Sequence, residues 1–187
     1  NYFIVSILPL IAFIILNSNN IITVLFGLEY ENSVMPLQIL SIGVLLSVFA
    51  SVVTNCIFLP LKMEKYSLIA TSISAVENFV LNIFFIPKWG IEGAAISTVI
   101  AEGTVFFISY IYLRKKKLPF ISLLRIKNII VASLIVVLMC LVNRISNSLL
   151  DAEWKRLILE STSFILIYLI VFYKKIFNYI KRRNKEK

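Results

Sequence analysis

The stretch from Glu77 to Glu102, ENFVLNIFFIPKWGIEGAAISTVIAE, constrains this chain more than any other. It holds the end of one apolar helix, a Pro-Lys-Trp-Gly turn at 87–90, and the first half of a second apolar helix. Two carboxylates bracket it, each set well inside a hydrophobic run. Ionisable groups at such places are costly and mark functional positions. The rest of the chain reads as support for this hairpin in a membrane.

Hydrophobic residues make up 59% of 187, and mean hydropathy is +0.91. Soluble domains average about 45–50% apolar, so the expected class is an all-α polytopic membrane protein with about six transmembrane helices. The chain opens at Asn1 in the apolar run YFIVSILPLIAFIIL, without the basic start or small-residue cleavage site of a signal peptide. It is therefore expected to be the carboxy-terminal part of a longer protein. Cys56 and Cys140 both fall in apolar helices, and with no His and no C-x-x-C neither a disulfide framework nor a metal site is expected. No cofactor and no catalytic residue is expected either. The net charge of +9 would suggest nucleic acid in a soluble chain, but here the basic residues cluster in loops and report topology instead.

In order, a first helix over 2–16, kinked by Pro9, is expected to end at Asn17-Ser18-Asn19-Asn20. Residues 21–27 then read as a short interfacial segment, with Glu29, Tyr30 and Glu31 facing water. Ser33 is a plausible N-cap for a second helix over 34–58, with Pro36 in its first turn; the loop LKMEK follows Pro60. A third helix spans Tyr66 to Ile86 and a fourth Gly93 to Leu113. The run Arg114-Lys115-Lys116-Lys117 comes next, and 119–128 mixes apolar residues with Arg125 and Lys127 as a surface segment would. A fifth helix covers 129–143 and a sixth 157–173, with the basic tail continuing from it. Glu160 is expected near the outer end of the sixth helix, within reach of water and without a role. The chain divides into 1–113, four helices of a transporter lobe, and 114–187, a basic linker, two further helices and a basic tail.

Orientation follows from the 19 Lys and Arg residues. Lys62, Lys65, the four at 114–117, Arg125, Lys127 and seven in the tail fall on one side, fifteen in all. Only Lys88, Arg144, Lys155 and Arg156 fall on the other. The rich side is expected to be cytoplasmic, which puts the carboxyl terminus inside and the turn at 87–93 outside. Anionic lipid is the expected partner of the basic loops and tail.

The third helix carries Ser67, Thr71, Ser74, Asn78 and Asn82, in steps of four, three, four and four, hence on one face. Glu77 lies at the edge of that stripe. Lipid does not accept such a face, so it looks at other helices or at a water-filled cavity. In the fourth helix Gly93, Ser97 and Ala101 form a small-xxx-small row that lets two backbones approach; Thr98 and Glu102 form a second row. Glu77 is ten residues before Pro87 and Glu102 nine after Gly93, so both lie ~14–15 Å below the outer boundary, near mid-membrane. Facing one cavity, they would suit a proton or sodium relay. Packing and interhelical hydrogen bonding is the competing role for Glu77, Asn78, Asn82 and Glu102, while Pro87, Gly90 and Gly93 serve the turn. Lys62 and Lys65 mark the cytoplasmic rim.

The pattern Asn78-x-x-x-Asn82, then Ile86-Pro87-x-x-Gly90-x-x-Gly93-Ala94-Ala95 and Glu102, resembles the carboxy-terminal lobe of Wzx-type polysaccharide flippases. These belong to the multidrug, oligosaccharidyl-lipid and polysaccharide exporter superfamily. Leu25-Phe26-Gly27-x-Glu29-Tyr30-x-x-Ser33 looks like that family's outer loop, and Asn55, Pro60 and Lys62 fit it as well. The resemblance covers roughly 20–113, and the last two helices look like the extra pair of fourteen-helix members. It implies two six-helix lobes around a central cavity, the amino-terminal one lying outside this sequence, that rock to move an undecaprenyl-diphosphate-linked oligosaccharide across the bacterial cytoplasmic membrane for O-antigen or related surface polysaccharide. One feature departs from that reading: a diphosphate wants Arg or Lys, and no basic residue lies deep in any helix here. A cation-coupled multidrug exporter of the same superfamily is the alternative. A membrane oligosaccharide polymerase or acyltransferase would need a long extramembrane loop or a His/Asp/Arg constellation; short loops, no His and the single Asp151 argue against an enzyme.

Overall fold

The computed structural model describes residues 3–116, 126–150 and 152–183, and these include five α-helices. They are α1 (Phe3–Leu25), α2 (Val34–Val53), α3 (Glu64–Lys115), α4 (Ile126–Leu149) and α5 (Glu153–Arg183). A 3-10 helix, Leu28–Ser33, leads into α2, and a π-helical turn, Thr54–Phe58, extends it. Four helices among the described residues are long and apolar enough to cross a membrane, with Glu64–Lys115 counted as one of them.

α1 runs straight through the polar run expected to end it. Asn17, Ser18 and Asn20 are buried in mid-helix. Asn17 Nδ2 donates to the Phe13 carbonyl (3.2 Å) and Ser18 Oγ to that of Ile15 (3.0 Å), so both side chains donate within their own helix. Gln38 Nε2 of α2 donates to Ser18 Oγ (2.7 Å). Residues 21–25, expected as an interfacial segment, are the last turns of α1, and the chain leaves the helix at Gly27 with φ 97°. Ser33 takes the N-cap position of α2, but its side chain makes no capping bond; the Val34 N–H donates to the Glu31 carbonyl of the preceding 3-10 turn. Pro36 sits in the first turn of α2, where its missing N–H costs nothing.

α3 is a hairpin rather than a rod. Its only non-helical residue is Gly90 (φ 57°, ψ −130°), and the arms 64–89 and 91–115 run back along each other. The turn is thus shorter than the sequence suggests: Pro87, Lys88 and Trp89 are still helical. A proline three residues before the break removes one hydrogen bond from a terminal turn, a small loss. Gly90 has a conformation that L side chains rarely adopt. Close approach of the arms begins at Gly93, where a Cβ would overlap the Phe85 carbonyl.

α2 packs on the α3 hairpin, α1 on α2, and α4 and α5 on α1. At the loop end of the hairpin Val53, Phe58 and Leu113 are buried together, with the rings of Tyr66 and Tyr112 at 4.3 Å closing over them. A second cluster, Ile135 and Met139 with Phe13, Leu16 and Phe164, joins α4 and α5 to α1, and the Phe13 and Phe164 rings stack at 5.2 Å. Large apolar residues remain outside: Leu68, Ile73, Val76, Phe79, Ile83 and Phe84 are exposed along one side of the first hairpin arm. An aqueous protein would not leave such a surface uncovered.

α4 is longer than the fifth helix expected at 129–143: it continues six residues to Leu149 and takes in Arg144, which is exposed. α5 continues without interruption into the basic tail as far as Arg183, as expected. Most of the surface segment expected at 119–128 lies outside the described residues, although its last three residues, Ile126, Lys127 and Asn128, open α4.

Candidate functional site

The two arms of α3 are held by a ladder of polar contacts. Ser74 Oγ donates to the Ala101 carbonyl (2.8 Å) and Ser97 Oγ to Asn82 Oδ1 (2.6 Å), while Asn82 Nδ2 donates to Asn78 Oδ1 (2.8 Å). Gly93, Ser97 and Ala101 are all buried, so the small-residue row does face the opposite arm. α2 closes against the second arm at Gly43, where a Cβ would come within 3.2 Å of Val99 Cγ2.

Where α2 and the two arms diverge, they enclose an open cleft of about 560 Å3. α2 contributes Ser47 and Ser51, and its π-helical extension Thr54 and Asn55. The first arm contributes Ser67, Thr71, Ser74 and Asn78, the second Thr98 and Glu102. Thr54 and Ser67 hydroxyls lie 3.1 Å apart at the loop end. Ala50, Ala75, Ala101 and Val105 complete the lining. Glu102 is the one ionisable group among these lining residues, in a wall otherwise made of hydroxyls, amides and small apolar side chains. A wall of this kind can hydrogen-bond a hydroxyl-rich or amide-rich molecule and attract a cation; it offers an anion only neutral donors.

The sequence-derived site residues separate in three dimensions. Asn78, Thr98 and Glu102 come together on the cleft. Asn82 does not line it and is instead spent on Ser97 and Asn78. Glu77 also stands outside the lining: it is half-buried, and its Oε2 is buried without a hydrogen-bond partner. The physical reason is rotational. Glu77 is 100° around the helix from Asn78, off the polar stripe and toward the buried Ala70 side. Lys62 and Lys65 are exposed in the loop end beside Thr54 and Ser67, Lys62 with φ 54°. The α2 wall was not singled out as a site from sequence, yet Ser47, Ser51, Thr54 and Asn55 recur at helical spacing, the same signal that marked the first arm.

Glu160 overturns its expectation. It is only 4% exposed, lines a small cavity with residues of α1 and α4, and Asn143 Nδ2 donates to both of its carboxylate oxygens (3.3 and 3.2 Å). The seven residues between the start of α5 and Glu160 carry it about 10 Å along the helix, into the junction with α1. Among the described residues, no group of three or more His, Cys, Asp or Glu could hold a metal ion.

Apolar spans, uncovered outer faces and a polar interior define the chain as an α-helical membrane protein. It is 33% identical over 111 residues to the uncharacterized membrane protein MJ1068 of Methanocaldococcus jannaschii. That alignment covers 59% of this chain and 21% of the relative, so the chain spans about a fifth of that protein's length. No protein-family model and no solved structure matches the chain.

Proposed function

We propose that this chain is part of a membrane transporter that moves a polyprenyl-diphosphate-linked oligosaccharide across the cytoplasmic membrane for surface polysaccharide synthesis, by alternating access. The observation that carries the reading is the 560 Å3 cleft, whose hydroxyl and amide lining is set in a bundle with an apolar exterior. A saccharide needs that polar route, while its lipid can stay in the bilayer. The resemblance of residues 20–113 to polysaccharide flippases supports the same cargo. In this reading the two arms of α3 are separate spans of 26 and 25 residues and α5 is a further one, giving six, with the carboxyl terminus in the cytoplasm. Lys62 and Lys65 stand where the diphosphate would enter, and a further lobe of a longer chain would supply the remaining positive charge.

One observation favours a second reading, a cation-coupled exporter: the only charge among the described residues of the cleft wall is the carboxylate Glu102. Deleting the full-length gene in its host distinguishes the two. Loss of surface polymer with accumulated lipid-linked units, and unchanged tolerance of cationic dyes, is the outcome expected for the flippase. Normal polymer with raised dye sensitivity would establish the exporter instead.

A further inference from the structure

We propose that Glu160, Asn17 and Ser163 form a binding site for one monovalent cation of about sodium's size at the junction of α1, α4 and α5. The site lies apart from the cleft and does not depend on what the cleft carries. Its core is the Glu160 carboxylate, 4% exposed and accepting both Asn143 hydrogen bonds, which fix the carboxylate but leave its charge in place. Asn143 is itself oriented, because its Oδ1 accepts from Asn147 Nδ2 (3.2 Å). Across the junction stands Asn17, 2% exposed, whose Oδ1 is buried with no hydrogen-bond partner. The orientation of that amide is set by the Phe13 carbonyl, which takes the Nδ2 donor and turns the oxygen the other way.

Asn17, Glu160 and Ser163 all line one small cavity of about 10 Å3. That is close to the space one water-sized occupant needs. Ser163 Oγ gives its proton to the Leu159 carbonyl (2.7 Å), so it faces the cavity as an acceptor. The site thus collects three acceptor groups, the Glu160 carboxylate, the Asn17 amide oxygen and the Ser163 hydroxyl oxygen. A water there would satisfy hydrogen bonds, but it would leave a carboxylate without countercharge, and no Lys or Arg lines the cavity. A buried charge of that kind is compensated by a cation or a proton. One carboxylate among neutral oxygens suits a monovalent ion, since calcium and magnesium sites use more oxygen ligands or retained waters. Glu160 is the only titratable residue among those that line the cavity from α1, α4 and α5.

The positions along the helices agree. Asn17 is eight residues before the end of α1, Asn143 six before the end of α4 and Glu160 seven after the start of α5. At ~1.5 Å per residue, all three lie ~9–12 Å inside one end of the bundle.

The test is sodium binding to the purified full-length protein in detergent, measured with radioactive sodium against a choline background. A sodium-dependent rise in unfolding temperature gives a second readout. The expected result is that Glu160→Gln and Asn17→Ala each weaken sodium binding at least tenfold, while Glu29→Gln on the exposed surface leaves it unchanged. Glu160→Gln keeps the shape and one acceptor for Asn143; if it fails to fold, Asn17→Ala, which retains the carboxylate, decides. Undiminished sodium binding in these variants overturns the proposal. So does a wild type whose unfolding temperature is indifferent to sodium.

Discussion

Adding one methyl group at Gly93 separates the hairpin described here from any looser arrangement of the same helices. A Cβ at Gly93 would collide with the Phe85 carbonyl and crowd the Ile86 amide nitrogen at 3.1 Å, so backbone rather than a flexible side-chain tip must yield. Overpacking of this kind costs about 1–3 kcal/mol. Opening the arms also strains the Ser97–Asn82 and Ser74–Ala101 hydrogen bonds, interhelical bonds worth about 0.6 kcal/mol each in a membrane protein. Less the helix-propensity gain of up to about 1 kcal/mol that alanine brings, Gly93→Ala is therefore expected to destabilise by about 1–3 kcal/mol. Two other glycines calibrate the scale. At Gly43 the new Cβ meets Val99 Cγ2 at 3.2 Å, a side-chain methyl that can shift, so Gly43→Ala costs less. At Gly103 it meets Leu46 Cδ1 at 3.8 Å, ordinary contact, and helix propensity gains up to about 1 kcal/mol. Detergent-driven unfolding followed by circular dichroism should rank the variants Gly93→Ala, Gly43→Ala, Gly103→Ala from least to most stable. A Gly93→Ala protein as stable as Gly103→Ala would refute the close approach of the arms.

Four further outcomes are expected. Gly90→Ala places a side chain at φ 57°, ψ −130° and should lose about 1–3 kcal/mol by the same unfolding assay, although no neighbour lies within 4 Å of its Cβ. A double-mutant cycle with Asn82→Ala and Ser97→Ala should return a coupling of about 0.5–1 kcal/mol, and a coupling of zero would mean the 2.6 Å bond contributes nothing. If the proposed transport holds, Glu102→Gln should lower turnover of the full-length protein while Glu77→Gln, off the cleft wall, should act on stability instead; equal turnover in both would remove Glu102 from the proposed pathway. With Cys56 and Cys140 replaced by Ser, Lys88→Cys should react with an impermeant maleimide on intact cells and Lys62→Cys only after lysis, the reverse pattern inverting the topology.

The class of protein and the hairpin were legible in the sequence because both rest on local signals. Hydropathy summed over a span identifies a membrane segment wherever it packs. The 3.6-residue period placed Ser67, Thr71, Ser74 and Asn78 on one face, and all four line the cleft. Gly90 and the Gly93-Ser97-Ala101 row likewise stated in one dimension where the chain must turn and approach itself.

Other features were decided only by tertiary packing. Asn17 to Asn20 look like a helix end in sequence, since short polar side chains compete with backbone hydrogen bonding. In the folded chain α2 meets Ser18 and α5 meets Asn17, and the helix continues. Glu160 reads as a residue near water by its distance from a helix end, yet α1 and α4 close over it and make a buried carboxylate of it. Residue counting puts Glu77 and Glu102 at equal depth, but a rotation of one residue along the first arm removes Glu77 from the wall that Glu102 occupies. Lipid tails are as apolar as leucine, so hydropathy says that a helix is in the membrane without saying which of its faces meets another helix. That choice rests on contacts between residues far apart in the chain, and those contacts also select which buried polar groups face a cavity and which serve packing.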